Sequence, residues 1–308
     1  MDKIIKAAIS ILLLCVSLYF LDWATLATAF RTLNPFMLLV ASFACILTYV
    51  IISVRWYVLS RRVVRLSFWA QMKIYYYSAF LNTFTPANLG GDIYRLVSLK
   101  KYADSKLSIL FCLIKERMLG LISYLLLYLF FLAMLWIADP EWIRTAKIYN
   151  IAGIIIMLVV LVIFTVPSIK GFLETSVNAF LPKYFAKIFT YTREGLHFET
   201  QSEFLKLMGL SVIGTSIWIA MVGIVAQGLG ITISLQKLGM IVILVELVRL
   251  IPVSIQGIGL REGAYAYLFK VNGMSSEAGF LLGLISYLIL SLTLIASGGI
   301  SFFIVKEQ

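Results

Sequence analysis

Two stretches decide how this chain is read: Pro86-Ala87-Asn88-Leu89-Gly90-Gly91-Asp92-Ile93-Tyr94-Arg95 and Pro252-Val253-Ser254-Ile255-Gln256-Gly257-Ile258-Gly259-Leu260-Arg261. Both fit one frame, P-x4-G-x3-R, and each interrupts an apolar segment, 70 to 99 and 238 to 270. Proline removes a backbone donor and stops a helix, while glycine lets the chain turn, so both segments are expected to be broken or re-entrant helices. Gly90 and Gly259 add a second glycine to each break. Downstream, Gly120-Leu121-Ile122-Ser123-Tyr124-Leu125 recurs unchanged as Gly283-Leu284-Ile285-Ser286-Tyr287-Leu288. Two ordered matches in the same relation to a break point to an internal repeat, 70 to 137 and 238 to 304. A pair of ordinary spans kinked by Pro and Gly is the competing reading.

The chain around these breaks is strongly apolar. Of 308 residues, 61% are hydrophobic and 13% charged, with a mean hydropathy of +0.98; soluble domains carry about 25% charged residues. Runs at 4 to 21, 36 to 54, 107 to 137, 150 to 166, 207 to 230 and 277 to 304 approach or exceed the roughly 20 residues that cross a bilayer. The expected fold is an all-α polytopic integral membrane protein: six full transmembrane helices plus two broken or re-entrant hairpins in a single membrane domain over 1–308. Lys3, Lys6 and Ala27-Thr28-Ala29 resemble a signal peptide with its cleavage site. The run from Ile4 to Leu21 is longer than a usual signal core and further spans follow, which favours an uncleaved first helix. Cys15, Cys45 and Cys112 stand alone in apolar runs, with no disulfide or metal spacing. A net charge of +11 in so apolar a chain belongs on cytoplasmic loops facing anionic headgroups, so nucleic acid is not an expected partner.

The basic residues also set a topology. Arg55, Arg61, Arg62, Arg65 and Lys73 follow the second span and place that end in the cytoplasm. If 70 to 99 dips in and returns, Lys100, Lys101 and Lys106 stay on the same side; if it crosses, they fall outside. The connection 168 to 206, with Lys170, Lys183, Lys187, Arg193 and Lys206, is then cytoplasmic, and the second break enters from the opposite face. Both termini are expected in the cytoplasm. Opposed copies of one element are the mark of an inverted-topology repeat, which suits alternating access around a midplane site.

Ionisable side chains inside a bilayer cost several kcal/mol unless paired or hydrated, so each is a candidate for function. Asp92 and Arg95 lie in the first break, Arg261 and Glu262 in the second, Glu116 and Arg117 at the start of a span, and Glu246 and Arg249 in the second broken segment. Arg95 and Arg261 occupy equivalent positions and are expected to bring two cations to one central cavity that suits an anionic headgroup. The bland reading is that Asp92 pairs Arg95 and Glu246 pairs Arg249 only to pin the hairpins. His197 reads as a surface residue of the cytoplasmic connection, and Tyr75–Tyr77, Trp136 and Trp142 as interfacial aromatics. No catalytic, metal or cofactor motif is found.

These residues resemble a known family, the lysylphosphatidylglycerol synthase transmembrane region, also called the flippase-like domain. The likeness covers essentially the whole chain. It is carried by Phe80-Leu81-Asn82-Thr83-Phe84-Thr85-Pro86 with Gly90-Gly91-Asp92 and Arg95, by Glu116-Arg117 with Gly120, and by Pro252, Gly257, Gly259, Arg261, Glu262 and Gly263. The family usually has Asp-Arg where Glu116-Arg117 stands, and a more Pro/Gly-rich second break. The resemblance implies a protein of the bacterial or archaeal cytoplasmic membrane that moves an anionic or aminoacylated phospholipid, or a polyprenyl-linked lipid, between leaflets. In fused members a soluble aminoacyl transferase follows; this chain ends at Gln308 just after its last span, so that activity is not expected.

Two other functions compete. A membrane glycosyl- or phosphotransferase using a lipid-linked donor would need positioned acids or a metal in a sizeable extramembrane loop, and the outer loops offer only Asp22, Asp139 and Glu141. A non-transporting accessory subunit would partner an envelope-synthesis enzyme encoded nearby.

Overall fold

The computed structural model describes residues 34–85, 89–139, 151, 153–155, 200–250 and 253–305. The expected span 4 to 21, most of 150 to 166, most of the connection 168 to 206, Pro86 and Pro252 lie outside them. Among the described residues every named element is an α-helix. In chain order the first four are α1 (Pro35–Ser60), α2 (Phe68–Asn82), α3 (Leu89–Leu99) and α4 (Lys106–Ala138). Then come α5 (Gln201–Gly228), α6 (Leu235–Arg249), α7 (Leu260–Val271) and α8 (Ser276–Val305).

The lengths fall into one pattern twice over. α1, α2, α3 and α4 have 26, 15, 11 and 33 residues; α5, α6, α7 and α8 have 28, 15, 12 and 30. α1, α4, α5 and α8 are long and apolar enough to cross a membrane, and they coincide with the expected spans 36 to 54, 107 to 137, 207 to 230 and 277 to 304. At 1.5 Å per residue the short helices reach about 17 to 23 Å, less than the roughly 30 Å hydrocarbon core. Each apolar segment that carries a P-x4-G-x3-R string is therefore two half-helices. Caps reinforce the parallel. Asn34, Ser67, Thr200 and Ser234 close the N-termini of α1, α2, α5 and α6 by accepting a backbone N–H two or three residues on. Pro35 adds a pre-set φ at the start of α1.

Packing repeats as well. Within the first half α2 meets α3, α3 meets α4, and α1 meets α2 and α4. In the second, α6 meets α7, α7 meets α8, and α5 meets α6 and α8. Between halves, α1 and α2 lie on α8 as α5 and α6 lie on α4, and α1 runs along α5. That central pair is antiparallel. The Asn34 N–H at the start of α1 donates to the Gly228 carbonyl at the end of α5 (3.1 Å), and Arg55 near the other end reaches Ser211 (2.9 Å).

The two short-helix pairs open at opposite ends of the bundle. The segments flanking α2 and α3 meet, with Val64 bridging Ala103, the Arg65 N–H donating to the Tyr102 carbonyl (2.7 Å) and Arg65 pairing with Asp104. Arg62 pairs there with Glu203 of α5. At the far end, the start of α6 meets the end of α4 through Lys237 and Asp139 (2.7 Å). Lipid tails are as apolar as leucine, so helices associate in membranes through close packing, often at small residues. Gly239 of α6 lies against the Phe131 ring of α4, and Gly298 of α8 against Phe80 of α2. On α8, Gly279 and Gly283 let α7 approach so closely that a Cβ on Gly279 would fall 2.6 Å from the Tyr265 carbonyl.

Candidate functional site

The first break is built by its own residues. α3 begins with backbone N–H groups that have no partner in the helix, and the end of α2 supplies acceptors. Asn82 Oδ1 takes the Gly91 N–H (2.7 Å) and Thr85 Oγ1 takes the Gly90 N–H (3.0 Å). Glycine is required at 91, where a Cβ would collide with the Ser78 carbonyl and the Asn82 side chain. Asp92 stands in the first turn of α3, where the helix dipole favours a negative charge.

From Asp92 a chain of ion pairs crosses three helices. Arg95 donates to Asp92 (2.6 Å) and to Glu116 of α4 (2.6 Å), and Arg117 Nε donates to Asp92 (3.0 Å). Glu116 also faces Arg55 of α1 (3.4 Å), whose other terminal nitrogen donates to Ser211 of α5. The signs alternate along Arg117, Asp92, Arg95, Glu116 and Arg55. Arg95, Glu116 and Arg55 are buried, and the Arg95 guanidinium lies 4.3 Å from the Trp56 ring and 5.2 Å from that of Tyr75. Guanidinium groups tolerate such burial because carboxylates and ring faces meet their donors and charge together.

The second break turns differently. Gln256 (φ +48°), Gly257 (+80°) and Gly259 (+77°) enter the left-handed region, which costs Gln256 strain that glycine escapes. Glu262 reaches back to accept the Gly259 N–H (2.7 Å), while Arg261 donates to the Gln256 carbonyl (2.9 Å) and lies 4.5 Å from the Tyr287 ring. At the end of α6, Arg249 pairs with Glu246 (2.6 Å). A Cβ on Gly257 would fall 2.7 Å from Arg249 Cγ, so the bare backbone there makes room for the arginine stem.

A cavity of about 120 Å³ sits between α1, α4, α5, α6 and α8. α1 and α5 line it with Thr48, Tyr49, Ile52, Arg55 and Ser211, Gly214, Thr215, Trp218; α4 adds Gly120 and Tyr124, α8 Leu290, and the tip of α6 Glu246 and Arg249. Gly120, Tyr124, Ser211, Gly214, Thr215, Trp218 and Leu290 fall in the middle stretches of their long helices, while Arg55 lies towards the end of α1. Three buried donors around it, Arg55 Nε, Arg249 Nε and Trp218 Nε1, have no acceptor among the described residues. Two guanidinium groups and an indole N–H suit an anionic oxygen better than an apolar guest, while the Thr48 and Ser211 hydroxyls donate to the Ala44 and Leu207 carbonyls of their own helices.

Placement of the expected site residues is mixed. Glu246 and Arg249 line the cavity; Arg95 and Arg261, expected to converge there, do not. Arg95 is drawn aside by two carboxylates at 2.6 Å, and Arg261 is folded back on the Gln256 carbonyl. Asp92, Glu116 and Arg117 belong to the ion-pair chain; Glu116 touches the cavity-lining Arg55 directly, and Asp92 and Arg117 stand further along it beyond Arg95. Both intrahelical pairs, Asp92–Arg95 and Glu246–Arg249, are formed. Sequence reasoning missed Arg55, Tyr49, Ser211 and Trp218. Arg55 sits at the head of a run of arginines and reads as a topology marker; Tyr124, by contrast, stands inside the repeated hexapeptide.

No curated protein and no solved structure matches this chain. One family does, described as Lysylphosphatidylglycerol synthase TM region, over residues 3–298, and with nearly the whole length covered the chain belongs to that family.

Proposed function

We propose that this protein moves a lipid between leaflets, its anionic headgroup passing through the cavity between α1, α4, α5, α6 and α8 while the acyl tails stay in the bilayer. The observation that carries this reading is the cavity itself: Arg55 and Arg249 both line one space between α1, α4, α5, α6 and α8. Family membership supports a lipid-related role. The candidate lipids are an anionic or aminoacylated phospholipid or a polyprenyl-linked lipid. A phosphate is common to all three, and it is the group the two arginines would recognise.

An inverted-topology repeat would give the mechanism. Its supports are the doubled order of helix lengths, the matched packing of the halves, and the antiparallel α1 and α5. Equivalent helices that run in opposite directions are related by a two-fold axis in the membrane plane. On this reading 4 to 21 and 150 to 166 complete six crossings, and the α2/α3 and α6/α7 pairs enter from opposite faces. Arg61, Arg62, Arg65, Lys100, Lys101, Lys106 and Lys206 lie exposed at the end where α2 and α3 open, which supports a cytoplasmic side for that end. Both termini would then be cytoplasmic, in the cytoplasmic membrane of a bacterium or archaeon.

The test is headgroup translocation in proteoliposomes carrying a head-labelled anionic phospholipid. Glu246→Gln with Arg249→Gln removes both charges at once and leaves neither buried alone. That double variant should slow translocation at least tenfold relative to the wild type, and an unchanged rate would count against the cavity route.

A further inference from the structure

Among the described residues four arginines are buried or nearly so, and three of them have carboxylates: Arg55 and Arg95 share Glu116, Arg95 also holds Asp92, and Arg249 holds Glu246. Arg261 is the exception. It is 1% exposed, no carboxylate oxygen among the described residues lies within 4.0 Å, and its Nε and Nη1 donors meet no acceptor. Its one bond goes from Nη2 to the Gln256 carbonyl. The repeat explains why. Arg95, its counterpart, finds acids at Asp92 and Glu116; the same places in the second half hold Ile258 and Gly279. Glu262, next in sequence, accepts the Gly259 N–H with one oxygen and leaves the other unpartnered.

We propose that Arg261 binds a small anion, a halide or one phosphate oxygen, that stands where its counterpart has carboxylates. A buried guanidinium with two unmet donors is costly, and an anion accepting from Nε and Nη1 would meet both. Ser254 and Ser286, each 1% exposed and each with a hydroxyl unpartnered among the described residues, are the candidates to complete the site: Ser254 lies in the same break, and Ser286 precedes the Tyr287 that carries the guanidinium and follows by one turn Gly283, which touches α7. Both can donate to the same anion. None of the three lines the cavity, so this station is separate from the proposed lipid route.

Chloride is the probe. Thermal unfolding of the purified chain in neutral detergent is compared in chloride and in gluconate. Saturating chloride should raise the midpoint by about 3 °C. The rise should persist in the Glu246→Gln/Arg249→Gln cavity variant, require several-fold more chloride in Ser286→Ala, and vanish in Arg261→Gln. A full rise in Arg261→Gln overturns the proposal, as does a rise lost only in the cavity variant. Should Arg261→Gln fail to fold, Ser254→Ala and Ser286→Ala decide, and unchanged chloride dependence in both overturns it. Repeating the titration in phosphatidylglycerol and phosphatidylcholine nanodiscs separates the sources: competition by the anionic lipid identifies a headgroup oxygen, and its absence a free anion. Binding is read without transport, so this station can fail while the cavity route stands.

Discussion

At the residue scale the most consequential choice is where the charges are paired. Glu116 holds two buried arginines from different helices, and removing one partner of a buried pair costs about 3–5 kcal/mol because the other charge is stranded. Glu116→Gln should therefore destabilise the fold by roughly 3 kcal/mol, measured by thermal unfolding in detergent. Arg117→Gln should cost far less, since that side chain is 38% exposed and such pairs are worth about 0–1 kcal/mol. Which residues would be ionisable was legible in the sequence, and so were the i,i+3 pairs. The link from Glu116 to Arg95 and on to Arg55 was not, because it joins three helices whose packing no local pattern encodes. Gly279 shows the converse: the matched hexapeptides already set it opposite Glu116, yet only the packed bundle reveals how closely α7 approaches there.

At the scale of elements, the two breaks were readable because proline and glycine act on the backbone locally. How each break is sealed differs, and the sequence hides it: the first uses Asn82 and Thr85 as acceptors, the second left-handed backbone and Glu262. Asn82→Ala leaves the Gly91 N–H without its acceptor and should destabilise the α2/α3 pair by about 1 kcal/mol. Faster amide exchange confined to 89–95 would verify this. The close approach of α7 to α8 gives a harsher test. Gly279→Leu forces bulk onto the Tyr265 carbonyl and should lower stability by about 3 kcal/mol or more, whereas the same change at Gly120, where a Cβ meets nothing within 4 Å, should leave the unfolding midpoint within about 2 °C.

Among the described residues the molecule is a helical bundle in which one order of helix lengths and packing occurs twice. Its class and four of its long helices followed from hydropathy, and the proposed repeat rests first on two short strings. The site did not follow, because a cavity between α1 and α5 depends on how antiparallel helices meet rather than on any motif they carry. Topology has its own check: a cysteine at Ala103, where the α2/α3 pair opens, should react only with reagents that reach the cytoplasmic face, and labelling from outside would contradict the proposed orientation.

The central claim is that a lipid headgroup travels through the space that Gly120 helps to line. Because a side chain at 120 points into open room, Gly120→Trp should fill the cavity and leave the fold in place. In proteoliposomes with a head-labelled anionic phospholipid, wild-type protein should expose the inner-leaflet label to an impermeant quencher, and Gly120→Trp, folded to the same midpoint, should abolish that exposure. Translocation at the wild-type rate with the cavity filled would contradict the account.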